Sequence, residues 1–178
     1  MVKTVVIYKS RYGSTKKYAQ WISNEIGANV FENSEVKIED LTKYDTIIFG
    51  GGLYASGING IDIIIKNYQA LQNKNIIVFT VGLTPTDDNE ILKPIIEKNF
   101  SDNLRENIHF FHLRGGIDFK NLNSTHKFMM SMLKKLMAKK KPEKLPKSAK
   151  MILEAHGENI DFTDIRTIEP IILYVKGL

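Results

Sequence analysis

A β-branched run at the start of the chain, Val2-Lys3-Thr4-Val5-Val6-Ile7-Tyr8, reads as a buried strand. Soon after it the spacing changes, and Thr15, Ala19, Ile22 and Ile26 fall on one helical stripe. Between the two lies Ser10-Arg11-Tyr12-Gly13-Ser14-Thr15. A short polar loop therefore carries the chain from the C-terminal end of a strand into the N-terminus of a helix. The first N–H groups of a helix have no partner within it, and the helix dipole places partial positive charge there. Such a terminus suits a phosphate. Gly13 permits a tight turn and close approach of a ligand. Ser10, Ser14 and Thr15 add hydroxyl donors. The same residues would also serve an ordinary capped turn. Two features favour the anion. Three hydroxyls and a glycine exceed what one cap needs. Lys16 and Lys17 occupy a first turn where the dipole disfavours cations unless an anion is near.

The alternation continues along the chain. Asp45–Gly50, Asn75–Val81 and Asn107–Leu113 are further strand runs, and Asn29–Glu32 is a weaker one. Helical patterns cover Ser14–Ile26 and Ile58–Leu71. Another opens at the capping-box form Asp87-Asp88-Asn89-Glu90 and reaches about Phe100. The last spans Asp164–Lys176, where Pro170 kinks the helix or marks its true start. Strands that are apolar on both faces and alternate with helices imply an α/β fold with a parallel sheet covered on both sides. A length of 178 residues suits one domain, 1–178, with a full core. In such sheets ligands sit beyond the C-terminal ends of the strands. The loops to read are therefore 10–15, 50–57, 82–86 and 114–118.

The loop Gly50-Gly51-Gly52-Leu53-Tyr54-Ala55-Ser56-Gly57 has four glycines and an alanine, so its backbone can press against a flat ligand. Tyr54 offers a ring for stacking. Gly50, Gly52 and Ala55 also fit a Gly-x-Gly-x-x-Ala dinucleotide fingerprint. That fingerprint expects an acid at the end of the next strand to hold a ribose, and this chain has Phe79-Thr80-Val81-Gly82 there. A loose glycine turn is the plain alternative. Gly82-Leu83-Thr84 supplies backbone donors and a hydroxyl. Arg114-Gly115 ends the last strand, where Arg114 could hold an anion or make a surface ion pair.

Other chemistries are set aside. The chain has no cysteine, so thiolate nucleophiles, disulfides and Cys-based metal sites are out. His109 and His112, three apart on a strand, face opposite ways and cannot share a metal, and no metal site is expected. Trp21 lies about 10 Å down the first helix and is expected to pack. The pattern Gly-x-x-x-x-Gly-Lys-Ser/Thr does not occur. No apolar run approaches the ~18 residues of a membrane span. Met1-Val2-Lys3 leads straight into the first strand, so no signal peptide is expected, and a cytoplasmic location follows.

The strand, the Ser-x-Tyr-Gly-Ser-Thr loop, the helix and the glycine loop after the third strong strand together resemble flavodoxin-like FMN proteins. The resemblance implies a three-layer fold with a five-stranded parallel sheet, helices on both faces and a helical insertion after the fifth strand. It implies FMN as cofactor. Ser10, Arg11, Tyr12, Gly13, Ser14 and Thr15 would hold its phosphate. Leu53, Tyr54 and Ala55 would lie against one side of the flavin, and Gly82, Leu83 and Thr84 against its edge. Arg114 and Gly115 would belong to the pocket. The stretch Leu113-Arg114-Gly115-Gly116-Ile117-Asp118-Phe119, the Met-rich basic helix after it, and Phe162-Thr163-Asp164 are similar to menaquinone-dependent protoporphyrinogen dehydrogenases.

The insertion, 117–160, is the second informative stretch. The net charge is +5, but residues 126–150 hold nine Lys and one acid, Glu143, while the remainder holds 16 basic and 19 acidic residues. Met129, Met132, Leu133, Leu136 and Met137 form an apolar helical stripe, with Lys127, Lys134, Lys135, Lys139, Lys140 and Lys141 mostly off it. Such a helix, 126–141, could lie on an anionic membrane surface or dock on the protein's own sheet with a solvated Lys face. Nucleic-acid binding is disfavoured, because no binding motif or interleaved aromatics accompany the charge.

The expected function is an FMN-dependent oxidoreductase that passes electrons from an organic donor, such as a protoporphyrinogen-like compound, to a quinone or redox-protein acceptor. Flavin chemistry needs no protein nucleophile, so no catalytic side chain is assigned. A flavodoxin-type electron carrier is the alternative, and a nicotinamide-binding domain a weaker third. The discriminator is the insertion, which a carrier does not need.

Overall fold

The structure is a computed structural model and describes residues 2–54, 57–85, 89–122, 124–138 and 159–178. Its main strands are β1 (Thr4–Lys9), β2 (Asn29–Glu32), β3 (Thr46–Tyr54), β4 (Gly57–Ile58), β5 (Asn75–Gly82) and β6 (Ile108–Arg114). Five of them form a parallel sheet in the order β2-β1-β3-β5-β6, and β4 folds back antiparallel onto the end of β3. The chain moves outward from β1 to β2, then returns to build β3, β5 and β6 on the other side. The order therefore reverses beside β1, and the crevice for a ligand opens there, at the carboxyl ends.

Alternation along β1 explains the two covered faces. Val5 and Ile7 face one way and pack with Ile47, Phe49, Ile64, Leu71 and Val78. Val6 and Tyr8 face the other way and pack with Tyr18, Ala19 and Ile22 of α1 (Ser14–Ile26), and with Ile48, Ile77 and Phe79 of the sheet. The apolar stripe read from the sequence in α1 is thus the stripe that seals one face.

Three stretches differ from expectation. Gly50–Tyr54 is not loop but the end of β3. Gly50 pairs with Tyr8 on one side and Phe79 on the other. A Cβ on Gly50 would fall inside the Phe79 ring, so the glycine makes room for a core aromatic rather than for a turn. Residues 58–71 are not one helix. Ile58 joins β4, Gly60 turns with φ +79°, and two short helices follow, α2 (Ile38–Leu41) preceding them in the chain: α3 (Asp62–Ile65) and α4 (Tyr68–Leu71). Asn67 separates them, its side-chain amide donating to the Ile63 carbonyl at 2.9 Å. β-branched crowding at Ile61, Ile63, Ile64 and Ile65 adds little helix preference to resist the break. Asp87 and Asp88 of the capping box lie outside the described residues. The helix they would open is α5 (Asn89–Asn99), followed by an unanticipated α6 (Asp102–Glu106).

After β6 the chain forms β7 (Gly116–Asp118) and α7 (Ser124–Ala138), and it returns through β8 (Asn159–Asp161). β7 and β8 pair antiparallel, Ile117 opposite Ile160, so the expected helical insertion has a two-stranded ribbon at its base. A 3₁₀ turn at Ile165–Ile168 precedes α8 (Glu169–Lys176), with Pro170 in its first turn as a start rather than a kink.

Candidate functional site

The carboxyl ends of β1, β3, β5 and β6 converge on a cleft of about 500 Å³. Its floor is built from the first loop. Gly13 adopts φ +95° as the N-cap of α1, a conformation costly for a residue with a Cβ. Its carbonyl accepts the first helical bond, from the Lys17 N–H at 2.9 Å. Its own N–H donates to Ser10 Oγ at 3.1 Å. Ser10, Tyr12, Ser14 and Thr15 line the cleft, and Thr15 is almost fully buried. Ser14 Oγ also accepts from the Gly116 N–H at 3.2 Å, tying the ribbon to the helix start. Lys17, at the first turn, already has an anion. Its ammonium lies 3.1 Å from Asp161 Oδ2 and donates to Thr163 Oγ1 at 2.7 Å.

One wall comes from the end of β3, through Gly52, Leu53 and Tyr54. Burial, reinforced by Tyr12, pushes the Tyr54 phenol above its ordinary pKa, so it stays protonated. Ala55 lies outside the described residues. The opposite wall is Val81 and Gly82 of β5 and Leu83 just after it, with Gly115 after β6. Only glycine fits at 115, because a Cβ there would stand 2.7 Å from Val81 Cγ1. Its N–H donates to the Gly82 carbonyl at 2.7 Å, which locks the two walls together.

Arg114 and Thr84 sit beside the cleft but are not among its lining residues. The Arg114 Nε donates to the Leu83 carbonyl at 3.2 Å, and its guanidinium lies 3.7 Å from the centre of the Phe162 ring. Arg114 therefore supports the turn after β5. The Thr84 carbonyl is held in turn by His112, a residue the sequence offered only as a non-ligand. Trp21 packs edge-on against Tyr18.

The insertion supplies the remaining wall. Leu122 and, from α7, His126, Met130 and Met132 reach the cleft. His126 stacks on Tyr54 with ring centroids 5.2 Å apart and planes 18° from parallel. Its Nδ1 lies 2.6 Å from the Tyr12 hydroxyl and its Nε2 lies 3.2 Å from Arg11 Nη1. Nothing local in the sequence marks His126, because its partners lie at the other end of the domain. Of the predicted Met stripe, Met132 is described, half exposed at the cleft rim. The side chains of Met129, Leu133, Leu136 and Met137 lie outside the described residues. Arg11 is exposed and meets His126 at the cleft.

Residues 5–144 match a family model described as a flavodoxin domain. An uncharacterized protein of Methanocaldococcus jannaschii is 28% identical over 105 residues, which are 58% of this chain and 67% of that protein. A flavodoxin, WrbA-like protein from Agrobacterium tumefaciens is similar over 55% of this chain and 73% of its own, at 23% identity and a TM-score of 0.43. A flavoprotein structure from Bacteroides eggerthii covers 79% of this chain and all of its own, at 16% identity and a TM-score of 0.47.

Proposed function

The chain belongs to the flavodoxin domain family, and from that premise we propose that it is an FMN-dependent oxidoreductase with a substrate pocket of its own. The observation that carries this reading is the composition of the cleft. A hydroxyl-lined helix N-terminus, with Ser10, Ser14 and Thr15, opens into a slot whose walls are mainly apolar: Leu53, Val81, Leu83 and Ile117. A phosphate at one end and a flat ring system along the slot match that donor set. Gly52 and Gly115 leave room for the Tyr54 and Val81 side chains of those walls. When bound, FMN would supply the electron-transfer chemistry, which no side chain of this protein replaces. The chain's own residues bind the phosphate, hold the ring plane and exclude water.

The insertion supports an enzyme over a bare electron carrier, since α7 contributes His126, Met130 and Met132 to the cleft. An apolar organic donor, such as a protoporphyrinogen-like compound, would suit that wall, and a quinone or redox protein would accept the electrons. The acceptor side of α7 fits an anionic membrane surface. Phe128 and Met132, 65% and 48% exposed and one turn apart, stand beside exposed Lys127 and Lys135. Among the described residues no helix is long and apolar enough to cross a membrane, so the contact proposed is peripheral.

The test is the absorption spectrum of the purified protein, followed by titration with FMN and with a nicotinamide dinucleotide. Stoichiometric FMN binding with its visible flavin bands supports the proposal. Tight dinucleotide binding without FMN binding overturns it.

A further inference from the structure

Helix α7 meets the cofactor cleft at His126. His126 stacks on Tyr54 of β3, and its two ring nitrogens meet Tyr12 and Arg11 of the first loop. The chemistry of the partners fixes the ring's state. A guanidinium only donates, so Nε2 is the acceptor. In the neutral imidazole the hydrogen is then on Nδ1, which donates to the Tyr12 oxygen 2.6 Å away. Tyr12 and Tyr54 also meet edge to face, 6.3 Å apart. The ring therefore closes a group of three aromatic side chains drawn from the phosphate loop, the end of β3 and the insertion.

We propose that His126 is the latch that fastens α7 over the cleft, a positioning residue that sets access to the cofactor site. The proposal rests on the reading of the cleft as a cofactor site. On the helix of His126, the neighbouring Lys127 ammonium donates to the Lys120 carbonyl at 3.1 Å. The latch also shares residues with the phosphate loop. Ordering Tyr12 and Arg11 from either side favours the other, so cofactor binding and helix closure reinforce one another.

Hydrogen exchange of the full chain, without added flavin, reads the latch directly. At about pH 8, His126→Ala should raise opening of 124–138 about tenfold, the order expected from losing one or two hydrogen bonds. Tyr12→Phe should raise it less, and β1 and β5 should not change. Equal protection of 124–138 in wild type and His126→Ala overturns the proposal. Should the alanine variant lose protection throughout, Tyr12→Phe decides, and no rise at 124–138 is the overturning result. FMN titration is read separately. A latch without FMN binding removes the cofactor reading alone, and FMN binding without a latch removes this proposal alone.

Discussion

Thr80 of β5 and His112 of β6 stand opposite each other in register, and their side chains meet, Thr80 Oγ1 lying 2.8 Å from His112 Nδ1. The second ring nitrogen lies 3.1 Å from the Thr84 carbonyl. A carbonyl only accepts, so Nε2 carries the hydrogen and Nδ1 accepts from the Thr80 hydroxyl. The buried imidazole thus ties the turn after β5 down onto the sheet. His112→Phe keeps a ring and loses both bonds. It should cost about 1–3 kcal/mol in stability by urea denaturation. FMN affinity should fall with it, because Leu83 in the same turn lines the cleft.

Thr15→Ala should weaken FMN by about 1–3 kcal/mol, the cost of phosphate hydrogen bonds left unmade. Ser14→Ala should in addition lower stability, since the Gly116 N–H loses its acceptor. Flavin fluorescence titration measures the first effect and thermal unfolding the second. Wild-type affinity in Thr15→Ala would take the phosphate away from this loop.

Two glycines in the site are irreplaceable for different reasons, and a pair of substitutions separates them. A Cβ at Gly13 would meet nothing within 4 Å, so Gly13→Ala suffers only from φ +95°, about 1–2 kcal/mol. Gly115→Ala collides with Val81. Adding Val81→Ala should recover part of the loss at Gly115 and none at Gly13. Denaturation of the four variants decides this.

Asp161 sits below the usual carboxylate pKa. Partial burial raises it, but hydrogen bonds from Thr163 and the Lys17 ammonium outweigh that. A folded-state pKa below the unfolded value gives stability that is present above the unfolded pKa and lost as pH falls through the folded one. Both side chains are substantially exposed, so the pair contributes no more than about 0.2–1 kcal/mol. Asp161→Asn should therefore be slightly less stable than wild type at neutral pH, with the difference vanishing in acid. A gap that persists at low pH would assign the effect to something other than the charge.

Membrane contact is tested by co-sedimentation with anionic and neutral vesicles at low and high salt. Binding should require anionic lipid and weaken with salt. Phe128→Ser and the change of Lys134, Lys135, Lys139, Lys140 and Lys141 to Gln should each reduce it. Binding that survives both changes, or none to anionic vesicles at low salt, removes the membrane from the proposal.

Much of this fold was legible because its signals are local. α1 runs from Ser14 to Ile26 as its stripe predicts, and the β-branched runs at Val5–Ile7, Ile47–Ile48 and Ile76–Val78 lie in strands. Legibility failed where a residue's role is set by a distant neighbour. Gly50 reads as a turn residue until Phe79 is beside it in the sheet. Arg114 reads as an anion holder or a surface ion pair, and neither reading reveals Phe162 under its guanidinium. His126 and His112 carry no helical or strand pattern of their own, and their partners, Tyr12 and Thr84, are visible only in three dimensions.

The ribbon of β7 and β8 gives the protein a seam. Asp118 lies opposite Asn159, so the chain leaves and rejoins the domain at one spot. Changing the length of a segment between two such neighbouring ends costs little, about 0.6 kcal/mol per doubling, and leaves the sheet register untouched. Ser14, bonded to Gly116, keeps the seam seated on the start of α1. Segments of different length could therefore be exchanged at this seam while the start of α1 keeps its place against β7.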